Sequence, residues 1–132
     1  MKYDSFDNKI TVVTGKSKNS SMKSAACTVK VNGKDYAVFM GGWNGDYINT
    51  CVIVDFDGVN INVEDKFALP EKRNSAGICV VTLEGNDYIV IGGGHGGAYY
   101  SSVYLYRLYR NSSGLDLVRV ASGNLSSARD DI

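Results

Sequence analysis

Short apolar runs alternate with glycine-containing turns along most of the chain. The first four runs are rich in β-branched and aromatic residues, which favour strands; they span 24–31, 35–42, 50–56 and 59–67. In the last run Val59, Ile61 and Val63 alternate with polar residues, a pattern typical of an outer strand with one solvated face. Asn32-Gly33 and Asp57-Gly58 separate runs and favour tight turns between antiparallel strands. The pattern predicts a four-stranded antiparallel unit.

The second run of this unit, 35–42, is apolar without alternation. Continuous apolar runs are typical of strands that are covered on both faces of a sheet. We therefore expect this strand, and its counterpart at 87–94, to be buried on both faces.

The unit is repeated further along the chain. Residues 32–50 (NGKDYAVFMGGWNGDYINT) align without a gap with residues 84–102 (EGNDYIVIGGGHGGAYYSS), at an offset of 52 residues. Eight positions are identical in the two copies: Gly33, Asp35, Tyr36, Val38, Gly41, Gly42, Gly45 and Tyr47 recur as Gly85, Asp87, Tyr88, Val90, Gly93, Gly94, Gly97 and Tyr99. The second unit is expected to have strands at 75–83, 87–94 and 102–109, then a longer turn at 110–114.

The glycine run from Gly92 to Gly97 satisfies the G-x-G-x-x-G pattern of nucleotide-binding loops. A phosphate cradle also needs a helix behind the glycines, whose N-terminal amides meet the phosphate. A strand-like segment follows instead, and the first copy has Met40 where the second has Gly92. The repeat thus favours a backbone role for the glycines over phosphate binding.

The ends of the chain match parts of the same unit. Residues 3–13 match 53–63, and 124–132 match 68–76 with Arg129 at the position of Arg73. The predicted organisation is a half unit at 1–18, full units at 19–70 and 71–123, and the start of another unit at 124–132.

Four-stranded units with a period near 50 residues resemble the kelch-repeat family of β-propellers over nearly the whole chain. The resemblance is carried by the glycine pairs that end the second strands, by Phe56-Asp57 and Phe6-Asp7, and by the LPEKR segment at 69–73. The chain departs from the family in having Val63 and Val13 where a tryptophan is usual, and Leu108-Tyr109 in place of Phe-Asp.

The resemblance implies an all-β fold made of four-stranded antiparallel blades of a kelch-type β-propeller. Propellers close with 4 to 8 blades, so this chain is expected to form an incomplete ring. The missing blades would come from the rest of a longer chain or from other subunits. The first source is favoured, because the two ends are not complementary halves of one blade.

Composition excludes several kinds of partner. Lys plus Arg and Asp plus Glu both number 14, so the basic excess of a nucleic-acid-binding protein is lacking. No apolar run approaches the ~20 residues of a membrane span, and the N-terminus is too polar for a signal peptide. An odd number of cysteines, at Cys27, Cys51 and Cys79, favours buried thiols and a reducing, cytoplasmic compartment. The sequence predicts no nucleic-acid or membrane partner.

Known catalytic and metal-binding motifs are lacking from the sequence. His95 is the only histidine, which is too few for a metal site or for the copper ligands of an oxidase. We therefore predict no catalytic residue, no metal and no cofactor in this chain.

The second-to-third-strand turns and the connection between units should emerge at one face of the blades. Exposed Trp, Tyr and Arg side chains there are typical of binding hot spots. The predicted partner-binding residues are Trp43, Asn44, Asp46, Arg73, Asn74, His95 and Tyr100. Tyr47 and Tyr99 occupy equivalent positions and are expected to pack between blades.

The resemblance implies a non-catalytic scaffold that binds a protein partner through this loop face. One alternative is carbohydrate recognition, because aromatic and Asn/Asp loops also suit sugar rings. Another is a propeller enzyme of the mutarotase or galactose-oxidase kind, whose catalytic residues would lie elsewhere.

Overall fold

The computed structural model of the chain describes residues 23–127, together with 2–4 and 9–11. These residues form ten β-strands and no helix: β1 (Lys2–Asp4), β2 (Lys9–Thr11), β3 (Ala25–Val31), β4 (Lys34–Trp43), β5 (Tyr47–Phe56), β6 (Ile61–Ala68), β7 (Gly77–Leu83), β8 (Asn86–Gly92), β9 (Ser102–Asn111) and β10 (Gly114–Asn124). The all-β class predicted from the sequence is confirmed. Within the described residues there is accordingly no long apolar helix of the kind that crosses a membrane.

Eight of the strands form two antiparallel sheets of four strands each. Strands β3, β4, β5 and β6 lie side by side in chain order in sheet 1, and β7, β8, β9 and β10 do so in sheet 2. The registers repeat as well, since Val31 pairs with Lys34 in sheet 1 and Leu83 pairs with Asn86 in sheet 2. The two predicted four-stranded units are therefore confirmed as two sheets with the same strand order.

The first turns of the two sheets have the same backbone conformation. Asn32 and Gly33 have φ angles of 51° and 81°, and Glu84 and Gly85 have 53° and 79°. Two successive residues with positive φ form the tight hairpin turn whose twist matches that of the strands. Asn and Gly tolerate this conformation, which explains why the two-residue spacing at 32–33 predicted the hairpin.

A single hydrophobic core lies between the two sheets. It contains one face of each sheet, and its buried residues are Ala25, Val29, Tyr36, Val38, Met40, Cys51 and Ile53 of sheet 1, Ile89, Ile91, Tyr104, Tyr106 and Leu108 of sheet 2, and Leu69 of the connection. Directly paired residues such as Val38 and Ile53 lie on the same face of their sheet. The burial of these side chains is the main stabilisation of the two-sheet stack.

The prediction that the second strand of each unit is buried on both faces is wrong for β4. Tyr36, Val38 and Met40 are buried, whereas Phe39 on the opposite face is 39% exposed. The reason is that each sheet has only one neighbouring sheet among the described residues, so one of its faces stays open.

A polar contact joins the sheets at the end opposite the glycine pairs. The backbone N–H of Lys30 in β3 donates to Asp87 Oδ2 of β8 over 2.8 Å. The hydroxyl of Thr82 donates to the other carboxylate oxygen, and this hydrogen bond and that from Lys30 hold the pKa of Asp87 below its usual range. The Lys30 N–H of β3, an edge strand of sheet 1, therefore has its hydrogen-bond partner in sheet 2.

The outer parts of the predicted organisation are described only in part. Of the predicted half unit at 1–18, the structure describes β1 and β2, which pair antiparallel. Of the predicted start of a unit at 124–132, Leu125 donates its N–H to Ser101 O over 2.7 Å, as Leu69 does to Asn49 O. Residues 1, 5–8 and 12–18 of the first segment and 128–132 of the last, including Arg129, lie outside the described residues.

Candidate functional site

Three loops meet at one end of the two sheets, which we name the loop end. They are the β4–β5 turn, the β6–β7 connection and the β8–β9 loop, at 44–46, 69–76 and 93–101. The opposite end, which carries the four short hairpin turns, is named the turn end. The loop end contains every site residue predicted from the sequence.

The β4–β5 turn is shaped by glycines and by an aspartate. Gly41 and Gly42 have φ angles of 69° and 128°, and the register of β4 and β5 shifts at this point. Beyond this bulge Trp43 pairs with Tyr47, and Asp46 Oδ1 accepts the N–H of Tyr47 over 2.8 Å. The turn thus presents Trp43 and Tyr47 side by side.

The β8–β9 loop is fixed by backbone hydrogen bonds. His95 and Asn74 exchange two of them, with N···O distances of 3.0 and 2.8 Å, and Gly93 N–H donates to Ser102 O. Gly96 N–H donates to Ala98 O. These amide groups are already bonded within the protein, and a strand follows the loop, so the glycine run forms a backbone turn rather than an anion cradle.

Four rings form a row across the loop end, which we name the aromatic row: Trp43, Tyr47, His95 and Tyr99. Successive ring centroids are 5.0, 5.3 and 4.8 Å apart, within the range of edge-to-face contacts. The Tyr47 hydroxyl and His95 Nδ1 share a hydrogen bond of 2.8 Å. Since Tyr47 belongs to sheet 1 and His95 lies between β8 and β9 of sheet 2, the row bridges the two sheets.

The aromatic row is accessible at its two ends. Tyr99 is 60% exposed, and Asn44 and Asp46 are exposed beside Trp43. Trp43 and His95 are half-buried. The prediction that Tyr47 packs between the units is confirmed, whereas its equivalent Tyr99 is open because no described sheet lies beyond it.

Arg73 does not lie on this surface, and the expectation that it is an exposed binding residue is wrong. Its side chain is 1% exposed. The guanidinium donates to Gly93 O over 2.7 Å and to Ser102 Oγ over 2.7 Å, and it forms an ion pair with Glu71 at 2.9 Å. The residue therefore joins the β6–β7 connection to sheet 2 from within.

Tyr100 and Asn74 have supporting positions in the same layer. The guanidinium of Arg73 lies 4.6 Å from the ring centroid of Tyr100 and 5.3 Å from that of Tyr104. Asn74 is 9% exposed, so the expectation of an exposed Asn74 side chain is wrong as well. Tyr100 is half-buried. Of the predicted site residues, Trp43, Asn44, Asp46 and His95 lie together at or near the surface.

Sequence reasoning missed the residues that surround Arg73. Glu71 accepts the hydroxyl proton of Tyr104 over 2.6 Å; burial, followed by this hydrogen bond, raises the pKa of Tyr104. Ser102 supplies both a hydroxyl and a carbonyl to the guanidinium. The proximity of Glu71 to Arg73 in the sequence was an available signal for the ion pair, but Ser102 and Tyr104 carried none.

The other groups with shifted pKa values each have one protonation state at neutral pH. Burial raises the pKa of the Cys51 thiol to about 12, and burial followed by the neighbouring Cys79 raises that of Cys27 to about 11. Burial, followed by Cys51, raises the pKa of Tyr106 to about 12. Backbone hydrogen bonds from Asn60 and Val59 hold the pKa of Asp57 below its usual range. These thiols and this phenol stay protonated at neutral pH, and Asp57 stays ionised.

A polar cleft of about 420 Å³ lies between the sheets at the turn end, and sequence reasoning missed it. Its lining includes Asp87 and Arg107. Arg107 donates to Asn86 Oδ1 over 2.9 Å, and Asp87 accepts from Lys30 and Thr82 as described above. Asp87 and Arg107 thus bond to the walls of the cleft. In the described part of the chain, no three His, Cys, Asp or Glu side chains cluster closely enough to hold a metal ion.

Comparison with known proteins adds no family to this picture. No protein-family model matches the chain, and no curated protein matches it with significance.

Proposed function

We propose that the chain is a non-catalytic scaffold that binds a protein partner through its loop end. The observation that carries this proposal is the aromatic row, which spans both sheets and has exposed polar groups next to it. Trp and Tyr are enriched among the residues that dominate binding energy at protein interfaces. The proposed contact residues are Trp43, Asn44, Asp46, His95 and Tyr99.

The backbone beneath the row supports this role, because it is fixed before any partner arrives. Trp43 and Tyr47 are adjacent across a paired segment, and His95 is held by two backbone hydrogen bonds to Asn74. A surface that is already ordered loses little conformational entropy on binding. The loop end is therefore suited to rigid recognition.

The architectural part of the proposal is that the two sheets are consecutive blades of a kelch-type β-propeller. The shared strand order, the 52-residue offset and the packing of one sheet on the other support it. Two such blades form an incomplete ring, and further blades would cover the two outer sheet faces.

Binding by the loop end is tested by isolating a partner and comparing variants. We expect Trp43→Ala to weaken the affinity of the partner about 30-fold, which corresponds to roughly 2 kcal/mol for a partly buried anchor. The melting temperature should change little, because Trp43 lies outside the buried core. The measurement is calorimetric titration of purified partner, together with a thermal melt of each variant.

Val59→Ala is the matched control, since Val59 is an exposed apolar residue in a turn at the turn end. Its affinity and melting temperature should equal those of the wild type. An unchanged affinity for the Trp43→Ala variant, accompanied by a lower melting temperature, would contradict the proposed site.

Carbohydrate binding is the second candidate function, and one observation favours it. The ring of Tyr99 is 60% exposed and its centroid lies 4.8 Å from that of His95 at an interplanar angle of 58°, so an aromatic ring faces solvent. Such a ring can take the apolar face of a sugar, and Asn44 and Asp46 are exposed at the other end of the row. A glycan array with the wild type and a Tyr99→Ala variant separates the two functions: signals that depend on Tyr99 favour the sugar, and an empty array leaves the protein partner.

A further inference from the structure

Equivalent positions of the two sheets differ in burial in a systematic way. Val29 of sheet 1 is 2% exposed, and its equivalent in sheet 2, Val81, is 38% exposed. The order is reversed on the other faces, where Ile91 of sheet 2 is 0% exposed and its equivalent Phe39 is 39% exposed. The buried face of each sheet therefore corresponds to the open face of the other.

We name the face with Val29 in sheet 1, and with its equivalent Val81 in sheet 2, the front of the sheet, and the opposite face the back. The front of sheet 1 therefore packs against the back of sheet 2, and not against the front. The front of sheet 1 contains Val29 and Val38, and the back of sheet 2 contains Ile89 and Ile91. Sheet 2 has an open front, with Val81, and sheet 1 has an open back, with Phe39. A head-to-tail contact of this kind leaves one complementary half free at each end, and it propagates into a ring or an open array.

We propose that the open front of sheet 2 binds the open back of sheet 1 in a second copy of this chain. The geometry is that of the packing already present between sheet 1 and sheet 2. This inference rests on the incomplete ring proposed above, and it assigns the further blades to other copies of the chain. Each open face is the repeat equivalent of a face whose partner is a sheet of the same kind. A second copy supplies such a sheet, and it is the occupant proposed.

The polar contact between the two sheets identifies one pair of groups that would meet at the new interface. In the existing packing the N–H of Lys30 donates to Asp87. The equivalent pair is Thr82 and the Asp35 of a second copy, and the Asp35 side chain is 66% exposed in an ion pair with the exposed Lys30. The new interface would thus offer Asp35 an edge N–H of β7.

The aromatic row would also be continued by a second copy. Tyr47 of sheet 1 contacts His95, which stands at the repeat equivalent of Trp43. By the same geometry, Tyr99 of sheet 2 would contact the Trp43 of a second copy, which explains why Tyr99 is 60% exposed in one copy. Stacking of copies would continue the row across the interface.

A mixing experiment with two blocked variants tests this proposal. Phe39→Lys places a charge on the open back, and Val81→Lys places one on the open front. Sedimentation velocity across a wide range of concentration should show wild-type species larger than a dimer, because each copy has two interfaces. Each variant alone should be a monomer, and an equimolar mixture should form a 1:1 dimer through the two unblocked faces.

The control is Val59→Lys, which changes an exposed apolar residue that lies in a turn and on neither sheet face. It should assemble like the wild type. Far-UV circular dichroism checks that each variant is folded, and Phe39→Ser or Val81→Ser replaces a lysine variant that lacks the wild-type spectrum.

Three outcomes would overturn the proposal. A wild type that stays monomeric at every concentration shows that the open faces do not bind a second copy, and leaves them to another segment or partner. A blocked variant that dimerises alone shows like-to-like packing of one face. A mixture that stays monomeric while the wild type assembles shows that assembly uses another surface.

Discussion

The guanidinium of Arg73 joins the β6–β7 connection to sheet 2 at the loop end. The group bonds to Gly93 O and to both the hydroxyl and the carbonyl of Ser102, and it pairs with Glu71. Buried charged groups are stable only when they are paired and hydrogen-bonded, and removal of one partner leaves the others unsatisfied. The residue is thus a determinant of stability rather than of recognition.

We expect Arg73→Ala to lower the free energy of unfolding by about 3 kcal/mol, because it removes the buried bonds and opens a cavity beside Tyr100 and Tyr104. Urea denaturation followed by circular dichroism measures this loss. Lys72→Ala is the control, since Lys72 is the exposed neighbour in the same connection, and its effect should stay within about 0.5 kcal/mol. Equal stability of the Arg73→Ala variant and the wild type would refute the structural role.

Individual residues also show which features of the site could be predicted from the sequence and which could not. The pattern placed Trp43, Asn44, Asp46 and His95 at one end of the sheets, because their turns follow directly from the strand pattern. It could not show that Arg73 points inward, since this depends on carbonyl and hydroxyl groups of β9 that lie 29 residues away in the sequence.

At the scale of elements, strand positions and turns could be predicted because the determinants are local. The hairpin at Asn32-Gly33 and the outer strand β6 follow from turn chemistry and from alternation. Whether neighbouring sheets cover both faces of β4 could not be predicted in this way. Its apolar run is compatible with two covered faces, but the number of neighbouring sheets is a property of the whole assembly rather than of the strand.

The bulge near the end of β4 depends on Gly41. Its φ of 69° disfavours other residues, and a Cβ built on it would collide with the backbone carbonyl oxygen of Arg73. We expect Gly41→Ala to lower the free energy of unfolding by about 2 kcal/mol or more. Chemical denaturation measures this change.

Gly123→Ala is the matched control for that variant, because a Cβ at Gly123 meets open space and its φ lies outside the left-handed region. Its stability should equal that of the wild type within about 0.5 kcal/mol. If Gly41→Ala proved equally harmless, the close approach of the connection to the bulge would be excluded.

At the scale of the whole molecule, packing and recognition use separate surfaces. Sheet faces carry the apolar packing, and the loop end carries polar and aromatic groups around a fixed backbone. Substitutions on the faces should therefore alter assembly and stability, whereas substitutions of the exposed loop-end residues Asn44 or Asp46 should first alter recognition. The central claim that follows is that one front-to-back packing geometry is used at every interface between sheets.

The most direct test of that claim is an experimental structure of the wild-type chain at a concentration where it assembles. We predict that the rotation relating sheet 1 to sheet 2 also relates sheet 2 to sheet 1 of the next copy. Val81 should then be as buried as Val29, and Phe39 as buried as Ile91. Open faces that remain in solvent, or that meet an identical face across a twofold axis, would contradict the account.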